Sequence, residues 1–122
     1  MKSVKILSVS NPFLKINAGL CNTFYTRLMG FMFKSQPDPY YGLFFPGKAD
    51  TKVDSAIHMF FVNFDLAVFW LNENNTVVDK VLAKKWHPFY VPRKSARHIL
   101  ELHENRIDDL LIGDQVEITY VE

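Results

Sequence analysis

The sequence predicts a mainly β fold (a β-rich α+β class): a small closed or partly open barrel of about six to seven short strands with two short helices. Three observations carry this. Aromatic residues make up 15% of the chain and phenylalanine alone supplies 11 of 122 residues, and flat bulky side chains favour pleated, half-buried strands. Short apolar runs recur between turn residues, several of them alternating with a period of two. No repeat and no alternation of strand with long helix is visible, which excludes a doubly wound parallel sheet. Closure suits such a composition, because open edges bearing this many aromatics would pair with other chains.

The elements follow in order. Residues 2–10 alternate loosely through Val4 and Ile6 and read as a first strand, broken by Asn11-Pro12. Residues 22–33, NTFYTRLMGFMF, read as a helix with Asn22 as cap; Phe24, Leu28 and Phe31 share one face. Two prolines make 35–42 a loop. GLFF (42–45) is a short strand and 46–54 a polar loop. Residues 55–62 read as a strand with Ile57, Met59 and Phe61 on one face and Ala56, His58, Phe60 and Val62 on the other. A bend at 63–65 leads to a strand at 66–71. NENN (72–75) is a hairpin turn, since asparagine tolerates left-handed backbone angles, and 76–83 is its returning partner. Residues 84–94 are irregular, 97–103 a strand, and 105–112 a short helix capped by Asn105 and stopped by Gly113. Residues 115–121 close the pattern, with Val116, Ile118 and Tyr120 inward.

Length points to one domain, 1–122. A net charge of +1 gives no global steering toward nucleic acid or membrane. A single cysteine, Cys21, precludes an intrachain disulfide. Residues 54–72 form the longest apolar stretch, but Asn63 and Asp65 would sit near the centre of a bilayer. The opening residues lack the pattern of a secretory signal. A soluble, cytoplasmic protein is the expectation.

Several motifs occur in a specific order: Arg27-x-x-Gly30, GLFF from Gly42, IHMFFVNFDLAVFWLN from Ile57, Pro92, ILEL from Ile99 and IGDQVEI from Ile112. Together, from about residue 18 to 118, they resemble the uncharacterised family known as domain of unknown function 192. The resemblance implies a compact β-rich domain and no known activity, so it assigns no catalytic residues. Asp65 and Ala67 stand where the family usually has proline then aspartate, and Asn63 stands where a basic residue is common.

Arg27, His58 and Glu101 are the polar members of otherwise apolar neighbourhoods. His58 either satisfies itself on a buried partner or lines a pocket, where it could titrate near neutral pH. Arg27 and Glu101 either form a partly buried ion pair or cap loop carbonyls, or else Arg27 presents its guanidinium fork to a carboxylate or phosphate ligand. A second candidate is the stretch with Lys84, Lys85, Trp86, Arg93, Lys94 and Arg97, where cations lie beside flat rings as in single-strand nucleic-acid binders. An acidic C-terminal segment opposes it. Cys21 reads as packing rather than as a nucleophile, and Met29, Met32 and Met59 as gap-fillers. His58, His87, His98 and His103 lack metal-ligand spacing, so neither a metal nor a cofactor is expected. The leading expectation is a non-catalytic binding module for a small molecule, peptide or protein partner at Arg27, His58 and Glu101. The alternative is binding of nucleic acid or another anionic polymer through residues 84–97, and the third a small enzyme using His58 as acid or base.

Overall fold

A computed structural model describes residues 2–121, the side chain of Phe24 excepted. Its elements are β1 (Ser3–Ser8), β2 (Lys15–Leu20), α1 (Phe24–Met29), β3 (Tyr41–Phe45), β4 (Leu66–Leu71), β5 (Val77–Ala83), β6 (His98–His103), a 3-10 turn (Glu104–Arg106) and β7 (Val116–Val121). The strands form one sheet in the order β5-β4-β6-β3-β2-β1-β7. Only β2 and β3 run parallel; every other neighbouring pair is antiparallel. The sheet curls into a half-barrel. Its two outer strands approach at one end, where Thr76 bridges Gln115 and the Gly113 N–H donates to the Val77 carbonyl at 2.8 Å.

The pleat divides the core in two. One face gathers Val4, Ile6, Ile16, Phe44, Phe69, Leu100 and Leu102 inside the curl. The other gathers Leu43, Phe45, Val68, Trp70 and Ile99, and it is covered by Phe31 beyond α1 and by Ile57, Met59, Val62 and Phe64. The central strands are therefore apolar on both sides, and β4 is buried at all six positions. The Trp70 indole N–H donates to the Ser55 carbonyl at 2.7 Å, which ties the covering segment to the sheet.

Five details differ from the sequence reading. Residues 55–62 are not a strand. Their backbone pairs with the 86–90 segment at Ile57 and Tyr90, and the Met59 N–H donates to the His87 carbonyl at 3.0 Å. The opposing chain carries Pro88 and Pro92, which have no N–H to give, and Phe61 turns away at a φ of 61°, so no ladder forms. Residues 15–20, read as no element, are β2; Ala18 and Gly19 weaken its propensity, but β1 and β3 pair with it on both sides. The first helix is shorter than expected and its cap is Thr23, not Asn22. The Thr23 hydroxyl accepts from the Thr26 N–H at 3.1 Å, the Thr26 hydroxyl accepts from the Thr23 N–H, and Gly30 stops the helix at a φ of 44°. The second helix is a single 3-10 turn capped by His103, not Asn105. Of the three residues expected inward on β7, Val116 is buried but Tyr120 is exposed. The expected apolar face of the first helix included Phe24, whose side chain lies outside the described residues.

Two positions hold the loops to the sheet. The Asp79 carboxylate on β5 is buried and accepts from the Arg93 backbone N–H at 2.8 Å, from Arg93 Nη2 at 2.6 Å and from Arg93 Nε at 3.1 Å. Gly47 lies so close to β6 that a Cβ there would sit 2.0 Å from the Arg97 carbonyl oxygen. Gly47→Ala should therefore destabilise the fold by about 3 kcal/mol, since backbone rather than a flexible side chain must give way. Urea denaturation reads this directly. Asp79→Ala should cost about 2 kcal/mol in the same assay at neutral pH. Burial pushes the Asp79 carboxyl up, but the Arg93 and Lys80 hydrogen bonds hold it below its usual value of 3.8. The Asp79 contribution is thus present above the ordinary carboxylate range and is lost as pH falls below it. The difference between parent and variant should shrink in acid.

Candidate functional site

Alternation along β6 decides where Glu101 goes. Leu100 and Leu102 face into the curl, so Ile99 and Glu101 face the covered side. Register sets Glu101 opposite Leu43 of β3 and Val68 of β4. The residue is only 7% exposed. Among the described residues none donates a hydrogen bond to its carboxyl, yet no side-chain oxygen or nitrogen is sealed away without a partner. The carboxyl is therefore open to the pocket that it lines.

That pocket has a volume of about 280 Å³. Leu28, Phe31, Met32, Phe45, Met59 and Val62 are among its apolar walls, and its polar groups are Arg27, Asp54, His58 and Glu101. The structure thus brings Arg27, His58 and Glu101 together although they lie far apart in sequence. Gly30 passes beside this group: an added Cβ would lie at ordinary contact distance, 3.4 Å from the Phe45 ring and 3.6 Å from Glu101 Oε1, and it is the φ of 44° that favours glycine there.

The neighbouring cations do not neutralise the carboxyl by direct contact. Arg27 donates through Nη1 to the Pro46 carbonyl. Lys34 donates through Nζ to the Gly30 carbonyl at 2.7 Å, closing the C-terminal end of α1. Burial pushes the Glu101 carboxyl up to about 8, against a weaker pull from Lys34. Burial and the Glu101 charge push the Cys21 thiol up to about 11, which makes it inert packing. His58 accepts the Phe60 N–H on Nδ1 at 3.2 Å, so its neutral form carries its proton on Nε2.

The segment over the pocket is held by strained aromatics. Phe33, Phe61 and Trp86 all adopt a φ near +60°, a genuine outlier for bulky residues. Phe33 stacks on Phe61 at 4.8 Å, Trp86 meets Phe61 edge-on at 5.0 Å, and the Phe33 N–H donates to the Phe61 carbonyl at 2.9 Å. All three rings are substantially exposed.

The basic loop is dispersed rather than gathered. Lys84 pairs with Asp65 at 3.4 Å, Arg93 is committed to Asp79, and Arg97 donates through Nε to the Gly47 carbonyl at 2.9 Å. The Trp86 indole N–H donates to Asn63 Oδ1 at 2.9 Å. Lys85 and Lys94 are exposed. Arg27 and Arg97 instead border a second depression with Lys48, Asp54 and Ser55, of about 440 Å³. Among the described residues no three His, Cys, Asp or Glu side chains are grouped to hold a metal ion, and no helix is long and apolar enough to cross a membrane. The sequence reading did not include Lys34, Asp54, Gly30 or Phe45 in the site. Lys34 is four residues beyond Gly30, the spacing at which a lysine reaches a last-turn carbonyl, and that was the available signal.

The family model for domain of unknown function 192, described as "Uncharacterized ACR, COG1430", matches residues 5–118. The chain belongs to this family. A UPF0127 protein from Pyrococcus furiosus is 32% identical over 106 residues, covering 85% of this chain and 88% of that one. A UPF0127 protein from Thermococcus kodakarensis is 39% identical over 82 residues, covering 67% of this chain and 50% of that one; the chain thus spans half of that relative's length. In fold it is similar to a crystal structure from Sinorhizobium meliloti 1021 described as that of a candidate transcription regulator, with a TM-score of 0.80 at 18% identity over 95% of this chain and 92% of that one. At that identity the likeness concerns the fold alone.

The carboxyl of Glu101 gives this member of the DUF192 family a testable pH signature. Between about 4.5 and about 8 the folded protein keeps a proton there that the unfolded chain releases. Each step up in pH through that window therefore costs the folded state stability. Glu101→Gln removes the effect. Its melting temperature should match the parent's near the lower end of the window and exceed it by on the order of 15 °C above the upper end. A gap that does not change with pH would show that the carboxyl is not buried as described.

Proposed function

We propose that the protein is a non-catalytic binding module whose ligand is a small molecule held between α1, residues 54–62 and β6. One observation carries the reading: a nine-tenths buried carboxyl that receives no donor from the described residues opens into an apolar pocket. Being accessible from the pocket rather than sealed, it offers an entering ligand an acceptor that the fold has not used. The volume of about 280 Å³ exceeds the roughly 150 Å³ cavity that holds a benzene molecule, so the pocket admits a ring with a short substituent. Mostly apolar walls with a few convergent polar groups are the usual composition of such sites.

A receptor is favoured over a catalyst because His58 uses Nδ1 to hold the Phe60 amide, which suits a wall more than a proton carrier. Nucleic-acid binding along residues 84–97 has less support, since Lys84, Arg93 and Arg97 are each engaged within the fold.

Amide-resolved NMR with a library of ring-sized fragments tests this. Shifts should cluster at Gly30, at residues 56–59 and at residues 99–101. Ala56→Trp, which fills the pocket from its rim, should abolish them while keeping the spectrum of a folded chain. Fragment shifts confined to residues 84–97, or unchanged by Ala56→Trp, would overturn the assignment.

A further inference from the structure

We infer that the pocket recognises a small organic ammonium ion: a protonated primary or secondary amine on an apolar body, its N–H donors on the Glu101 carboxylate and its cationic end near the Phe31 and Phe45 rings. This rests on reading the pocket as a ligand site and says what chemistry fills it.

The inference comes from what the pocket offers and what it withholds. Glu101 presents two oxygens and, among the described residues, receives no donor. Asp54 adds a second carboxyl to the lining. Phe31 and Phe45 line the pocket as well, and aromatic rings attract cations at their faces. The donors that an anion would need are partly committed: Lys34 Nζ donates to the Gly30 carbonyl and Arg27 Nη1 to the Pro46 carbonyl. An anionic ligand would also have to sit beside Glu101. A neutral apolar ligand would leave the carboxyl without a partner, which a buried acceptor does not favour.

Binding couples to a proton. The groups facing Glu101 are Lys34 and Arg27 from the end of α1, Cys21 after β2, and Asp54 and His58 from the covering segment; the facing residues of β3 and β4 are the apolar Leu43 and Val68. An ammonium ion binds the ionised carboxylate, so below about pH 8 the Glu101 proton is released to solvent as the ligand enters. Affinity should then rise about tenfold per pH unit up to that point and level off above it.

Calorimetric titration of the full chain with benzylammonium, benzyl alcohol and benzoate tests this. Above about pH 8 benzylammonium should bind at least about tenfold more tightly than benzyl alcohol, and the preference should disappear about two pH units lower. Benzyltrimethylammonium, whose charge does not titrate, should follow the same pH profile and so assign the proton to the protein. Glu101→Gln should lose the ammonium preference and keep benzyl alcohol binding. Should that variant fail to fold, the pH profile of the parent decides alone. Benzyl alcohol binding without an ammonium preference would overturn the inference and leave the pocket reading standing. Benzoate binding more tightly than both would assign recognition to Arg27 and overturn it as well. If none of the three binds, the pocket reading and the inference fall together.

Discussion

The register of β6 between β3 and β4 is the constraint on which the rest depends. Leu100 and Leu102 must point into the curl, where they meet Phe44, Phe69 and Ile6. With a side-chain period of two, Glu101 has no choice but the opposite face. That face is covered, so a carboxyl is carried into an apolar layer by the packing of its neighbours. A one-residue slip would free Glu101 but would expose the two leucines, and burying each is worth about 2 kcal/mol. The sheet therefore holds the acid where it is.

The surroundings leave that acid unneutralised. The last turn of α1 brings Arg27, and the turn that follows it Lys34, into the neighbourhood, but each donates to a backbone carbonyl. Gly30, held at a φ of 44°, passes at contact distance from Glu101 Oε1. The covering segment is kept in place by Trp70, by the bridge between Ile57 and Tyr90, and by three aromatics held at positive φ. Strain of this kind persists only where the surrounding structure over-determines it, and it concentrates at sites that do something. Aromatics at positive φ next to the covering segment, and in the pocket an acid that receives no donor from the described residues, are departures from local rules that a purely structural domain has little reason to keep.

Much of the sheet was legible because β1, β3, β4, β5, β6 and β7 carry clear apolar runs between turn residues. β2 was not: KINAGL has the right alternation, but alanine and glycine dilute it, and its stability comes from partners on both sides. The 55–62 segment failed in the opposite direction. Its composition is that of a strand, but its partner contains Pro88 and Pro92, and a pairing failure is not visible in the residues that fail to pair. The trio of Arg27, His58 and Glu101 was legible as polar residues in apolar surroundings and as the members of one expected cleft; the other walls of that cleft were not, since only the fold brings the end of α1 and residues 54–62 over β6. The basic run illustrates the reverse limit. Its cations are adjacent in sequence, but Asp65, Asp79 and the Gly47 carbonyl draw them apart in space.

The most direct test of the central claim is the ionisation of Glu101 itself, followed by carbon-detected NMR of its side-chain carboxyl in the free protein. A carboxyl that is buried, without donors and open only to a small apolar pocket should titrate near 8. A midpoint in the ordinary glutamate range, about 4 to 5, would mean that water or a cation already stabilises the charge, and the account of the pocket would be wrong.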